Sequence, residues 1–285
     1  MIIRGKWNKN KYKIIDLIGS GNFGKVYRGI DEKGNIKAIK VSKDLLSITN
    51  EYNAMVRLKN FDFIPKVYDF DDWYFMGETY NFIVMDYILG KNLKEINTNK
   101  KMSLKTIFKI GKILVNILDE ISKLGYKYTD IKLENIIIDV KGKIYFVDFA
   151  SLSKKNMPTK EYTPTYNINS WNVKYNYNKK TGILFGITMI MVTLIGGKEY
   201  NPLVVSLEEI IERIDRFSIK EKEKIFLQNG LKGNFVDFNQ YSSTLSKLID
   251  GSKSYDNLNK IDYILVASIV SFVFVVILGL KSILS

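Results

Sequence analysis

Asp130, Lys132 and Asn135 fall in the short stretch Asp130-Ile131-Lys132-Leu133-Glu134-Asn135, and a second carboxylate follows in Asp148-Phe149-Ala150. An acid, a base two residues on and an amide three beyond that can share one tight loop, to which the second acid can return from a strand pair. Such a set can orient a hydroxyl nucleophile, neutralise a travelling phosphoryl group and hold Mg²⁺ through hard oxygen ligands. An Asp-Lys-Glu-Asn cluster is ordinarily a surface turn. Here it stands before the apolar runs Ile136-Ile137-Ile138 and Ile144-Tyr145-Phe146-Val147, joined by the turn Lys141-Gly142-Lys143. That context favours a site over a turn.

The elements that must position these groups can be read in order. Lys13–Asp16 alternates into Leu17-Ile18, and Gly19-Ser20-Gly21-Asn22-Phe23-Gly24-Lys25-Val26 follows. A strand leading into G-x-G-x-x-G also begins dinucleotide folds, where the motif opens a helix. Val26–Ile30 instead reads as a second strand, Lys33-Gly34-Asn35 as a turn and Ile36–Val41 as a third strand. A glycine-rich hairpin is therefore the reading, able to close over phosphates because its glycines put no Cβ in the way. Ser47–Asn60 has mostly helical spacing and carries Glu51. Phe63–Tyr68 and Tyr80–Tyr87 read as two more strands. Ser103 is placed to cap a long helix with apolar positions Ile107, Ile110, Leu114, Ile117, Ile121 and Leu124, closed by Gly125.

Taken together, these motifs resemble the eukaryotic-type protein kinases, whose catalytic loop reads H-R-D-x-K-x-x-N and whose metal loop reads D-F-G. The resemblance covers about residues 13 to 200. It implies an α+β, two-lobed protein-kinase-like fold, with a small antiparallel β lobe bearing one helix (13–88) and a larger helical lobe (89–250). It implies that Gly19, Ser20, Gly21, Asn22, Phe23, Gly24 and Val26 cover ATP. Ala38 and Lys40 would lie on the third strand, with Lys40 on the α- and β-phosphates and Glu51 pairing with it. Met85, Asp86, Tyr87 and Ile88 would form the hinge that receives adenine, Met85 as gatekeeper. Asp130 would accept or orient the substrate hydroxyl, Lys132 would steady the γ-phosphoryl, and Asn135 with Asp148 would carry Mg²⁺.

The match is imperfect. Tyr128 stands where the family has His, Thr129 where it has Arg and Ala150 where it has Gly. Tyr162-Thr163-Pro164-Thr165-Tyr166 looks like the family's Thr-Pro-x-Tyr, with Thr163 within reach of Asp130, yet no A-P-E follows. Thr181 replaces an anchoring Asp. These departures bear on the rigidity of the catalytic loop rather than on the fold. The Asp130-x-Lys132 spacing favours a Ser/Thr kinase over a tyrosine kinase and over small-molecule kinases of the aminoglycoside type. The latter remain the enzyme alternative, and a nucleotide-binding pseudokinase at the membrane is the non-enzymatic one.

Composition excludes much else. The 285 residues contain neither cysteine nor histidine, which removes disulfides, thiolate nucleophiles, His-assisted triads and ordinary zinc sites. A net charge of +13 implies attraction to polyanions, but the lysines are scattered, so no nucleic-acid partner is expected. The expected partners are ATP, a Ser/Thr-bearing protein substrate and a membrane.

Tyr263–Leu280 is uncharged and just long enough to span a bilayer, after a polar juxtamembrane linker at 251–262. The reading is a C-terminal transmembrane helix with the kinase lobes cytoplasmic. Thr181–Gly197 is also uncharged, but glycines at its ends and middle make it a buried central helix. Ser206-Leu207-Glu208-Glu209 and Ser218-Ile219-Lys220-Glu221 read as capping boxes, Asn229-Gly230 as the end of the second of those helices, and Gln240–Ile249 as a last helix.

Overall fold

A computed structural model describes residues 1–21, 24–99, 101–157, 162–173 and 179–251. The expected membrane segment 263–280, the linker beyond residue 251, and Asn22 and Phe23 lie outside the described residues. The described residues divide into two compact units: residues 1–90 with 137–140 and 144–152, and residues 91–136, 141–143 and 153–251.

The first unit is built on an antiparallel sheet. Its strands are β1 (Ile2–Arg4), β2 (Lys11–Gly21), β3 (Gly24–Ile30), β4 (Ile36–Ser42), β5 (Val67–Phe75) and β6 (Glu78–Asp86), with helix α1 (Leu45–Arg57) between β4 and β5. The sheet order is β1-β2-β3-β4-β6-β5. Five strands were expected; the sixth, β1, comes from the basic N-terminus. Net polarity hid it, because one fully buried residue, Ile3, is enough to anchor so short a strand.

The fourth expected strand also moves. It begins at Val67 rather than Phe63 and ends at the turn Met76-Gly77, whose φ angles of 50° and 82° suit a two-residue hairpin with β6. Pro65 cannot donate to a ladder, and the Phe63 carbonyl is taken by the Phe146 N–H at 2.9 Å.

After β1 the chain turns and runs beside β5. The Lys6 N–H bonds the Asp72 carbonyl at 2.8 Å, and the Trp7 and Asn8 N–H groups donate to the Asp71 carboxylate at 3.1 and 2.7 Å. Asn8, Asn10 and Tyr12 donate to Asp69 at 2.7, 3.0 and 2.8 Å. Both edges of the sheet are thereby bridged, and it curls into a nearly closed barrel. Ile3, Tyr12, Ile39, Val41, Trp73, Phe82 and Val84 fill the interior. Lys40, between Ile39 and Val41, faces the other way because side chains alternate along a strand.

The second unit is largely helical. A short strand, β7 (Gly90–Asn92), leads into α2 (Leu93–Asn99), an element with no clear sequence signal. Then comes α3 (Leu104–Lys123), capped as expected by Ser103, whose hydroxyl accepts the Thr106 N–H at 3.1 Å. It stops at Gly125, φ 82°. Leu124 is exposed rather than part of the buried face. The ribbon β8 (Tyr126–Lys127) enters the Asp130 loop, and β11 (Ser153–Lys154) pairs antiparallel with it; β9 (Ile136–Asp139) and β10 (Ile144–Phe146), which come between them in the chain, fall almost wholly in the first unit.

Helix α4 (Lys179–Gly196) contains most of the uncharged segment 181–197, and from Leu184 to Leu194 it is buried all round: Phe185, Ile187, Met189, Ile190, Met191 and Val192 are fully enclosed. Around it stand α5 (Leu207–Asp215), α6 (Glu221–Leu231) and α7 (Phe238–Asp250). The capping box of α5 is Ser206 with Glu209, as read. For α6 the box shifts: Glu223 accepts the Lys220 N–H at 2.7 Å, so Ser218 lies outside the helix. Nor does Gly230 end that helix. It is buried where α6 crosses α4, and a Cβ there would collide with the Thr188 hydroxyl. Among the described residues no helix is long and apolar enough to cross a membrane.

Candidate active site

Each unit contributes its own set of polar groups. In the first unit, β2 and β3 pair Gly19 with Val26, Ser20 with Lys25 and Gly21 with Gly24. Gly24 has φ 144°, and a side chain there would strike the Val41 carbonyl, so the hairpin tip rests on β4 only because this residue is glycine.

β4 carries Ala38, paired with Met85 on β6, and Lys40, paired with Ile83. The Lys40 ammonium lies 2.5 Å from Glu51 of α1 and 3.2 Å from Asp148. The Lys40 and Glu51 side chains are only 8% and 2% exposed. Burial alone would pull the Lys40 ammonium down, but the Glu51 and Asp148 carboxylates outweigh it and hold it above its ordinary 10.5. A raised pKa adds stability that is fully present below pH 10.5 and fades only as pH climbs beyond it. The cation is therefore fixed throughout the physiological range.

Asp148 is one of few non-glycine residues with positive φ, 64°. Asp tolerates this left-handed conformation better than most residues do. Phe149 and Ala150 behind it are buried, so the turn is held by packing. At the end of β6, Met85 is buried and Tyr87 and Ile88 are half-buried. Asp86 is occupied in bracing β5: its N–H bonds the Lys66 carbonyl, and its carboxylate takes the Lys66 N–H at 3.0 Å and the Tyr68 hydroxyl at 2.6 Å.

In the second unit, Asp130 is buried at the centre of a small network. Lys132 reaches its Oδ2 at 2.6 Å, and the Thr163 hydroxyl donates to its Oδ1 at 2.7 Å. The Asn135 amide donates to the Asp130 carbonyl at 3.0 Å and to the Tyr128 hydroxyl at 3.2 Å. Tyr128, where His was expected, is thus a buried prop under the loop.

The same loop has a second tie that no sequence signal announced. Lys94 reaches Glu134 at 2.5 Å and Glu199 at 3.2 Å, and the Tyr166 hydroxyl donates to Glu199 at 2.6 Å. Residues so far apart in sequence could be joined only by the fold.

The order and spacing of these groups match a known pattern: the protein kinase domain aligns with residues 12–260. This chain belongs to the protein kinase family. It is 28% identical over 239 residues to the serine/threonine-protein kinase YabT of Bacillus subtilis, covering 82% of this chain and 70% of that protein. Casein kinase I homolog 3 of Schizosaccharomyces pombe is 27% identical over 167 residues, 55% of this chain and 37% of its own. The probable serine/threonine-protein kinase pknA2 of Bifidobacterium longum is 30% identical over 154 residues, 50% and 20% respectively.

Protein kinases use nucleotide and a divalent metal, and each unit, taken by itself, holds an oxygen donor of the hard kind that Mg²⁺ accepts. Among the described residues there is no group of three or more acidic side chains placed to hold a metal ion. Mg²⁺ does not need one, since it keeps waters and substrate phosphates and takes one or two protein oxygens. Asp148 supplies a carboxylate. Asn135 has its amide nitrogen engaged within the loop, which fixes its side chain with the carbonyl oxygen as the remaining acceptor.

Proposed function

We propose that this chain is an ATP-dependent serine/threonine protein kinase tethered to a membrane by residues 263–280. The observation that carries the catalytic part is the buried Lys40 ammonium held between Glu51 and Asp148. A cation so expensive to bury is retained where phosphate charge must be met. The Ser/Thr preference is supported by the Asp130-x-Lys132 spacing and by relatives named as serine/threonine kinases.

In this reading the glycine hairpin covers the phosphates, Tyr87 and Ile88 offer backbone groups to adenine beside Met85, and Lys40 binds the α- and β-phosphates. Asp148 and Asn135 are the residues that would hold Mg²⁺, which supplies charge neutralisation on the phosphates. Asp130 orients the acceptor hydroxyl and takes its proton as the hydroxyl oxygen bonds the γ-phosphorus and the bond to the ADP oxygen breaks. Lys132 offsets charge on the moving phosphoryl group, and Thr163 fixes the Asp130 carboxylate.

The test is transfer from ATP labelled on its γ-phosphate to a Ser/Thr-rich acceptor protein by the full-length chain. Label is expected on Ser and Thr, lost with EDTA and reduced about a hundredfold or more by Asp148→Asn. Asn tolerates positive φ, so that variant removes charge without straining the turn. Labelling of an aminoglycoside instead of protein would indicate a small-molecule kinase. Nucleotide binding without transfer would indicate a pseudokinase.

The tether rests on the length and uncharged character of 263–280. Kinase units that consume ATP belong on the cytoplasmic side, and Lys253 and Lys260 before the segment agree with that orientation. Carbonate washing should leave the full-length chain in the membrane fraction and release a chain ending at Asn259. A full-length chain that washes off would remove the tether from the reading.

A further inference from the structure

The barrel of the first unit has an open mouth. A cavity of about 590 Å³ lies there, lined by Tyr27, Trp73, Phe75 and Tyr80, with Val41 and Met1 among the other walls. Trp73 stacks on Phe75 at 4.7 Å between centroids and tilts against Tyr80 at 5.5 Å. The Lys43 ammonium sits 5.2 Å from the centre of the Tyr80 ring. Aromatic walls edged by the polar side chains of Ser20, Lys25, Ser42, Lys43 and Asp44, in a cavity of this volume, are what small-molecule sites are made of.

Two features separate this cavity from the site already described. Its β4 lining is Val41 and Ser42, and neither Lys40 nor Glu51 is among its walls. One of its walls, Met1, also belongs to the segment before residue 12, where the match to the protein kinase domain begins.

We infer that the barrel mouth binds a small planar aromatic molecule bearing an anionic group. The flat part is matched by the Trp73–Phe75 stack and the two tyrosines. The charge is matched by Lys25 and Lys43 on the rim, which outnumber the one lining carboxylate, Asp44, whose Oδ1 accepts the Ser47 N–H that caps α1. Lys43 also meets Glu78. The occupant would touch the glycine hairpin at Ser20, Gly21 and Gly24, the strand that carries Lys40 and the start of the helix that carries Glu51. Binding there would bias the hairpin, and with it nucleotide affinity, and Mg·ATP would shift the occupant's affinity by the same factor without excluding it.

Anilinonaphthalene sulfonate, a planar aromatic anion, is the probe. Its fluorescence with the full-length chain should rise saturably to one equivalent, and saturating Mg·ATP should not displace it. Phe75→Ala, at a half-exposed wall position, should weaken its binding about tenfold through the lost ring contact. Lys25→Glu should weaken it about fivefold or more. Both variants should melt close to wild type, since neither residue is in the core. Displacement by Mg·ATP, or undiminished binding in both variants, would overturn the proposal; so would a chain that gives no saturable signal.

Discussion

Asp130→Asn should lower the turnover for protein phosphorylation by about two to four orders of magnitude, the range a positioned general base contributes, while the KM for ATP moves little. The substitution is nearly isosteric. An amide oxygen at the position of Oδ1 still accepts the Thr163 hydroxyl, which lies 2.7 Å away. What disappears is the negative charge that Lys132 meets at 2.6 Å and that receives the proton of the acceptor hydroxyl. Thr163→Val is the contrasting variant. It leaves the carboxylate in place and removes one hydrogen bond, so its effect on turnover should be about ten- to a hundredfold, in line with a bond worth roughly 1.5–3 kcal/mol to a charged group. Single-turnover phosphorylation by both variants gives the comparison. An Asp130→Asn enzyme that turns over at the wild-type rate would remove Asp130 from the chemistry.

The polar half of the site was legible because its signals are local. Asp130, Lys132 and Asn135 are three residues of one loop, and spacing alone brings them together. The Lys40–Glu51 pair was legible for a related reason: a strand and the helix that directly follows it allow few arrangements. What escaped notice depends on contacts between distant residues. β1 contains two apolar residues beside an arginine, and no periodicity distinguishes it from a basic tail. Its place is set by Asp69, Asp71 and Asp72 on β5, whose carboxylates collect donors from the N-terminal segment. Read along the chain, those three acids look like a solvated edge. The same holds for Lys94, Glu134 and Glu199, each an unremarkable surface residue until the helices bring them together. Gly230 was misjudged for another reason. Glycine stops helices when it takes positive φ, but it also lies where two helices touch, and the sequence alone does not say which of the two applies.

Lys40→Met should both abolish phosphoryl transfer and destabilise the first unit by about 3–5 kcal/mol, the usual cost of leaving one member of a buried ion pair unpaired. The magnitude follows from the burial of its partner: the Glu51 side chain is 2% exposed and cannot turn to water. Asp148 also loses its cation, though it is a third exposed and can be resolvated. The two effects of the substitution can be separated. Adding Glu51→Leu to Lys40→Met removes the stranded carboxylate and replaces the pair with apolar groups of similar size, which is often neutral for stability. The double variant should therefore recover most of the lost urea resistance while remaining inactive, because the cation that meets the phosphates is still missing. It should also bind Mg·ATP at least tenfold more weakly than wild type, as expected when a buried charge-assisted contact to phosphate is lost. Recovery of transfer along with stability would mean that Lys40 serves only to neutralise Glu51. A single variant as stable as wild type would mean that Glu51 reaches solvent or another partner, and that the pair is not the buried unit described here.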